Sequence, residues 1–183
     1  IAYAVNHPEI ELVGLTTIFG NVSVDQSTAN AGYLLDLLEH KHVPVAKGAS
    51  VPLKQTPHSF PDFVHGKNGF GDIAVEYPAD FKPHHLSAAD FIIEQINQNP
   101  GEIILVPIGP LTNIALALQK DPSIAHKVKQ VVIMGGAAHV EGNVSPAAEA
   151  NIWNDAHAGQ IVFSAPWEIV MVGLDVTYQT LMT

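Results

Sequence analysis

Ile103-Ile104-Leu105-Val106-Pro107-Ile108-Gly109-Pro110-Leu111-Thr112-Asn113 joins a short run of branched apolar residues to a turn of Gly, Pro and amide, and Ala115 to Gln119 beyond it has the composition of a helix. A run this short, apolar without strict alternation and closed by Pro and Gly, has the character of a buried parallel strand. Leu12 to Phe19, Val131 to Met134 and Ile169 to Val172 share it, with Val43 to Ala46 as a weaker fifth. Helical stretches lie between these runs. Ser23 with Gln26 three residues on has the form of a capping box, and Ser87 with Asp90 is a related acidic start. Behind Ser23, the residues Val24, Ala31, Leu35 and Leu38 recur at helical spacing and form one apolar stripe. Strand, helix, strand repeated along the chain predicts an α/β fold, an open, mostly parallel sheet with flanking helices, because parallel neighbours need a crossover connection. One domain over residues 1–183 is expected. From Gly48 to Leu86 the pattern dissolves into a stretch rich in Pro, His, Phe and Gly, far longer than an ordinary connection, which reads as a flap.

Composition narrows the function classes. Of 183 residues 47% are apolar, enough to bury a substantial core. The net charge is -10 and no Lys or Arg cluster occurs, which argues against binding a nucleic acid polymer, since that mode needs a basic face to displace counterions. Cysteine is absent, removing disulfides, thiolate zinc sites and cysteine nucleophiles. No apolar run approaches the roughly 20 residues of a membrane-spanning helix, so a soluble protein with no membrane partner is expected. A cytoplasmic location is compatible with this composition. Ile1 to Val5 reads like the later turns of a helix whose start is missing.

In an open parallel sheet, ligands bind beyond the carboxyl ends of the strands. Here those ends are polar and rich in Gly: Thr16-Thr17-Ile18-Phe19-Gly20-Asn21-Val22, then Ile108 to Asn113, then Gly135-Gly136 with a loop running to Asn143, Glu149 and Asn151. Asn21 beside Gly20 can be a simple turn residue, and Asn113 can cap a helix. An acid and two amides at Asn143, Glu149 and Asn151 offer the mixed donors and acceptors that the vicinal hydroxyls of a sugar require. His65 lies in His65-Gly66-Lys67-Asn68-Gly69-Phe70-Gly71 inside the long loop, where a histidine is more often solvated than engaged. His84-His85 and the other histidines lack zinc-type spacing. Dinucleotide, ATP-binding and serine-hydrolase signatures are all missing.

Five segments, taken in order, resemble the inosine-uridine preferring nucleoside hydrolase family. They are Gly14 to Val22, His65-Gly66 with Gly69, Val106 to Asn113, Met134-Gly135-Gly136, and Gly142-Asn143-Val144-Ser145-Pro146-Ala147-Ala148-Glu149-Ala150-Asn151-Ile152. The resemblance implies a Rossmann-like nucleoside hydrolase fold whose first strand and C-terminal third lie outside this chain. It implies that Asn21, Asn143, Glu149 and Asn151 bond the ribose hydroxyls, that Met134 packs at the sugar, that His65 sits near the ligand, and that the backbone carbonyl of Ile108 is a calcium ligand. Ala150 stands where the family often carries an aromatic ring. The family's Asp-rich opening motif, with its calcium ligands and general base, and a His-Asp pair from its last third are expected beyond the two ends.

The activity so implied is calcium-assisted hydrolysis of the N-glycosidic bond of ribonucleosides through an oxocarbenium-like transition state, with Glu149 and Asn143 stabilising it. A homodimer or homotetramer is the implied assembly, and this chain alone is expected to be inactive. Two alternatives stay open: a non-catalytic nucleoside- or sugar-binding module on the same scaffold, and another enzyme class on a Rossmann-like sheet.

Overall fold

A computed structural model describes residues 1–180 of the chain. These fall into two compact units, one formed by Ile1–Ser50 with Ser59–Phe91 and the other by Val51–His58 with the residues from Ile92 onward.

In the first unit, α1 (Ala2–Asn6) leads to β1 (Leu15–Thr16), α2 (Val24–Leu37), β2 (Val45–Ala46) and the one-turn α3 (Asp62–His65). β1 and β2 pair in parallel, Leu15 opposite Val45 and Thr16 opposite Ala46. The Ser23 hydroxyl caps α2 by accepting the Gln26 N–H at 3.2 Å. The capping box is only half made, because the Gln26 side chain donates to Asn30 Oδ1 and the Tyr77 hydroxyl instead. Of the predicted stripe, Ala31 and Leu35 pack with Val43 and Val45, flanked by Ile1, Val5, Leu12, Leu15 and Phe81, while Leu38 is the C-cap beyond the helix. Gly32 is required where it is, since a Cβ there would stand 2.6 Å from the Phe81 ring.

α4 (Ala88–Gln98) begins in the first unit and ends in the second, with Ser87 accepting the Asp90 N–H as its start signal predicts. The second unit then holds β3 (Ile104–Leu105), α5 (Thr112–Lys120), a 3-10 turn (Pro122–His126), β4 (Gln130–Met134), α6 (Ala150–Asn154), α7 (Ala156–Phe163), β5 (Ile169–Val172) and α8 (Leu174–Thr177). Its sheet has the order β3-β4-β5, parallel throughout. Val131 and Ile133 are fully buried, as are, to within 1%, Leu111, Ala115, Ile124 and Val162 of the same unit. The α/β reading with parallel pairing and flanking helices is therefore what the structure has, in two sheets where one layer was expected. Among the described residues β3 has a partner on one side only, and Ile104, Val106 and Ile108 are 45%, 61% and 73% exposed. Among the described residues no helix is long and apolar enough to cross a membrane.

Candidate functional site

β4 ends at Met134, and the chain passes through Gly135 and Gly136 into the loop that carries the acid and amides. Gly136 has φ 82°, a left-handed conformation that glycine adopts without steric cost. This turn points its N–H at the Glu149 carboxylate, 2.9 Å from Oε2. Glu149 is 2% exposed and is the N-cap of α6. Its Oε1 accepts the Asn151 N–H at 2.8 Å and its Oε2 the Ile152 N–H at 3.2 Å. A carboxylate out of water needs such donors, and backbone amides at a helix start supply them without a counter-cation. The acid is thus fixed in direction, and the fixing groups carry only partial charge.

The two amides of the same loop are each half engaged. Asn143 Oδ1 accepts the Ala150 N–H at 2.9 Å, leaving its NH2 group without a partner among the described residues. Asn151 Nδ2 donates to the Met134 carbonyl at 3.0 Å and lies 3.2 Å from the Met134 sulfur, leaving its Oδ1 without one. One unused donor and one unused acceptor, on residues that flank an oriented acid in sequence, can serve a pair of adjacent hydroxyls. Ser145 and Ala148 bridge the loop between them. The structure therefore joins Met134, Glu149 and Asn151 by direct hydrogen bonds and ties Asn143 to the Ala150 N–H that lies between the last two in sequence. Beside them lies an apolar cavity of about 330 Å³, lined by Gly136, Ala148, Glu149, Ile152, Trp153 and Met171.

Other predicted residues lie elsewhere. Ile108 follows β3, with its side chain turned to solvent and its carbonyl accepting no hydrogen bond from the described residues. That carbonyl could meet a cation, but among the described residues no group of three or more His, Asp or Glu could hold a metal. Calcium takes six to eight oxygens including carboxylates, so the residues present do not make a calcium site by themselves. Asn113 does not cap α5: Leu111 is the N-cap and Asn113 lies buried in the first turn. The Thr112 hydroxyl instead donates to the fully buried Asp155 at 2.7 Å.

Asn21 and His65 belong to the first unit. Asn21 is exposed in the turn after Gly20, the position that a simple turn reading gives it. His65 is half-buried at the end of α3, and its carbonyl accepts the Gly71 N–H at 2.8 Å. The loop after it is cross-braced. Asp72 Oδ1 accepts the Lys67 N–H at 2.6 Å, while Asn68 Oδ1 accepts the N–H groups of Phe70 and Asp72 at 2.9 and 3.0 Å. Asn30 of α2 donates to the Asn68 carbonyl at 2.9 Å, and Tyr33 packs its ring against those of Phe70 and Tyr77.

Sequence reasoning missed Asp175. It follows β5, and its carboxylate accepts the N–H groups of Ala138 at 2.9 Å and His139 at 2.7 Å. The amide of Ala138 first, and then that of His139, holds its carboxyl below the usual aspartate range. The rule that led to the other strand ends, applied to Ile169 to Val172, is the signal that would have found it.

The profile of the inosine-uridine preferring nucleoside hydrolase family matches residues 1–183. Uridine nucleosidase 1 of Arabidopsis thaliana is 48% identical over 98% of this chain and 53% of its own length. The inosine-uridine preferring nucleoside hydrolase of Leishmania major is 43% identical over 100% and 58%. Among solved structures, a purine-preferring ribonucleoside hydrolase from Gardnerella vaginalis superposes with a TM-score of 0.94 at 42% identity, covering 100% of this chain and 58% of that one. The chain thus spans a little over half the length of these relatives.

Proposed function

The chain belongs to the inosine-uridine preferring nucleoside hydrolase family, and on that premise we propose that the full-length protein hydrolyses ribonucleosides to ribose and free base. The observation that carries the reading is Glu149, a buried acid held by three backbone amides between the half-engaged Asn143 and Asn151.

Departure of a base from C1′ leaves positive charge on the ribosyl ring, as in O-glycoside hydrolysis. An anion beside the ring, already oriented and desolvated, favours the charged transition state over the neutral substrate without reorganising. Glu149 supplies it. The Asn143 NH2 donates to one ribose hydroxyl, and the Asn151 carbonyl oxygen accepts from its neighbour. Together they hold the sugar so that binding at the diol is also alignment at C1′. Met134 packs on the sugar, and Asn21 and His65 are further nucleoside contacts that the family resemblance implies. Calcium belongs to the reading only through the Ile108 carbonyl, and no step is assigned to it.

The test is release of ribose from uridine and inosine by the full-length protein, with 2′-deoxyuridine as the control. Turnover of the ribonucleosides with at least about hundredfold discrimination against the deoxy substrate, or ~2.7 kcal/mol, is the expected result. Equal turnover of both sinks the diol role. Binding of nucleosides without any hydrolysis replaces this reading with a binding module on the same scaffold.

A further inference from the structure

Asp175 is a half-buried side chain outside the set that faces the sugar in this reading, yet it is bonded directly to the loop that leads to Glu149. Its carboxylate accepts two successive backbone amides, Ala138 through Oδ2 at 2.9 Å and His139 through Oδ1 at 2.7 Å. Its neighbour Leu174 donates its N–H to the Gly136 carbonyl at 2.9 Å. A Cβ on Gly173 would stand 2.8 Å from that same carbonyl oxygen, so the ends of β4 and β5 meet at a distance that only glycine at 173 allows. Residues 173–175 therefore hold the chain at 136, 138 and 139, where it leaves β4.

The other side of the held segment is the acid. The N–H of Gly136 is one of the three donors on Glu149, and its carbonyl is the group that Leu174 holds. Moving the loop start thus removes a donor from a carboxylate that has little water to replace it. The same loop continues to Asn143, which is tied back to the Ala150 N–H beside that acid. A carboxylate suits the task at 175 because it accepts at both oxygens, whereas an amide accepts at one and turns an opposing NH2 toward the second N–H.

We propose that Asp175 is a positioning residue: by clamping the amides of Ala138 and His139 it fixes the start of the 136–149 loop, and through Gly136 the direction of the Glu149 carboxylate. Its purpose rests on the ribonucleoside reading above; its geometry does not. The clamp acts at a strand end that adds nothing to the sugar contacts, so its loss disturbs the transition state more than the affinity for substrate.

The experiment compares Asp175→Ala and Asp175→Asn in the full-length protein by amide hydrogen exchange and by steady-state kinetics on uridine. Exchange at Ala138, His139 and Gly136 is expected to rise about tenfold or more in Asp175→Ala, with Ala158 and Val162 of α7 unchanged. Asp175→Asn, which keeps one acceptor, is expected to fall between the two. Expected kinetics are a drop in kcat of about tenfold or more with KM altered by less than about threefold. Unchanged exchange at Gly136 overturns the positioning role whatever the kinetics. Raised exchange with unaltered kcat overturns it as well, and so does a kcat loss matched by a proportional loss of folded protein. A wild-type protein that releases no ribose overturns the ribonucleoside reading instead, and the exchange measurement still decides the clamp.

Discussion

The Gly136 N–H and the Glu149 carboxylate meet at 2.9 Å across a separation of thirteen positions in sequence, so the acid closes the loop that carries it. Glu149→Ala takes the acceptor from three backbone amides at once. Leaving buried donors unmade costs about 1–3 kcal/mol each, and partial access of water reduces the total to roughly 2–4 kcal/mol. Urea unfolding of the full-length variant should show that loss together with a fall of at least about a hundredfold in kcat/KM. Glu149→Gln separates the two roles: it should recover part of the stability and none of the activity. Wild-type turnover by Glu149→Gln rules out the anionic role.

Asn143 and Asn151 should differ in stability and agree in selectivity. Asn151→Ala breaks the half-buried bond to the Met134 carbonyl and should cost about 1 kcal/mol, whereas exposed Asn143 should cost no more than about half of that. Both variants should narrow the ratio of uridine to 2′-deoxyuridine turnover about tenfold or more. An unaltered ratio in both would place the diol elsewhere.

Ile108 contributes a carbonyl, so its exposed side chain should be replaceable. Ile108→Val is expected to leave melting temperature and turnover of the full-length protein unchanged. For residues 1–183 on their own, calorimetric titration with calcium should show no site tighter than about 1 mM, because a lone carbonyl lacks the carboxylates calcium requires. Micromolar binding to those residues would mean that a ligand set exists which the described residues do not reveal.

The His65 loop should be ordered before any ligand arrives. Gly66 has φ 69°, and a Cβ there would stand 2.5 Å from the Asp72 N, so Gly66→Ala must distort the turn. Asp72→Ala, which removes the acceptor for Lys67, should speed exchange and proteolysis at 66–73 in the absence of nucleoside. If the wild-type loop is cut as fast as that variant, the bracing has no effect in solution.

The Asp175 clamp has a defined pH window. Its carboxyl is held below the ordinary aspartate value of 3.8, so the bonds are fully present above that value and are lost as pH falls through the lower, folded one. An acid titration followed at the amides of Ala138 and His139 should move only below pH 3.8. A transition near neutrality would assign the change to another group.

The strands were legible as positions but not as lengths. Val131 to Met134 pairs on both sides as β4, and Ile169 to Val172 pairs along its whole length with β4 as β5. Leu12 to Phe19 and Ile103 to Pro107 are equally apolar, yet among the described residues only Leu15–Thr16 and Ile104–Leu105 pair, over two residues each. In the site, the grouping of Asn143, Glu149 and Asn151 could be read from proximity in sequence. The occupation of Glu149 by backbone amides could not, because helix starts favour Ser, Thr, Asp and Asn and a Glu there gives little warning. Asp175 escaped notice because its partners lie 37 and 36 residues away. The stretch from Gly48 to Leu86 reads as a flap, but positive φ at Gly66, Gly69 and Gly71 suits a fixed turn as well as a mobile one. Only the bonds of Asn68 and Asp72 tell the two apart.

His58 stacks on Trp153 with ring centroids 3.6 Å apart and planes 17° from parallel. Gln55 from the same short segment donates to the Trp153 carbonyl at 2.8 Å. Trp153 stands in the helix that begins at Glu149, two residues past Asn151, so the indole senses the site through its own backbone. The protein thereby carries an optical probe: an imidazole face against an indole alters its emission, and release of residues 51–58 would register as a fluorescence change. Trp167, the other tryptophan, donates its ring N–H to the Val162 carbonyl and supplies an internal reference. A stopped-flow trace on unlabelled protein could therefore time the arrival of a nucleoside at the acid without any engineered dye.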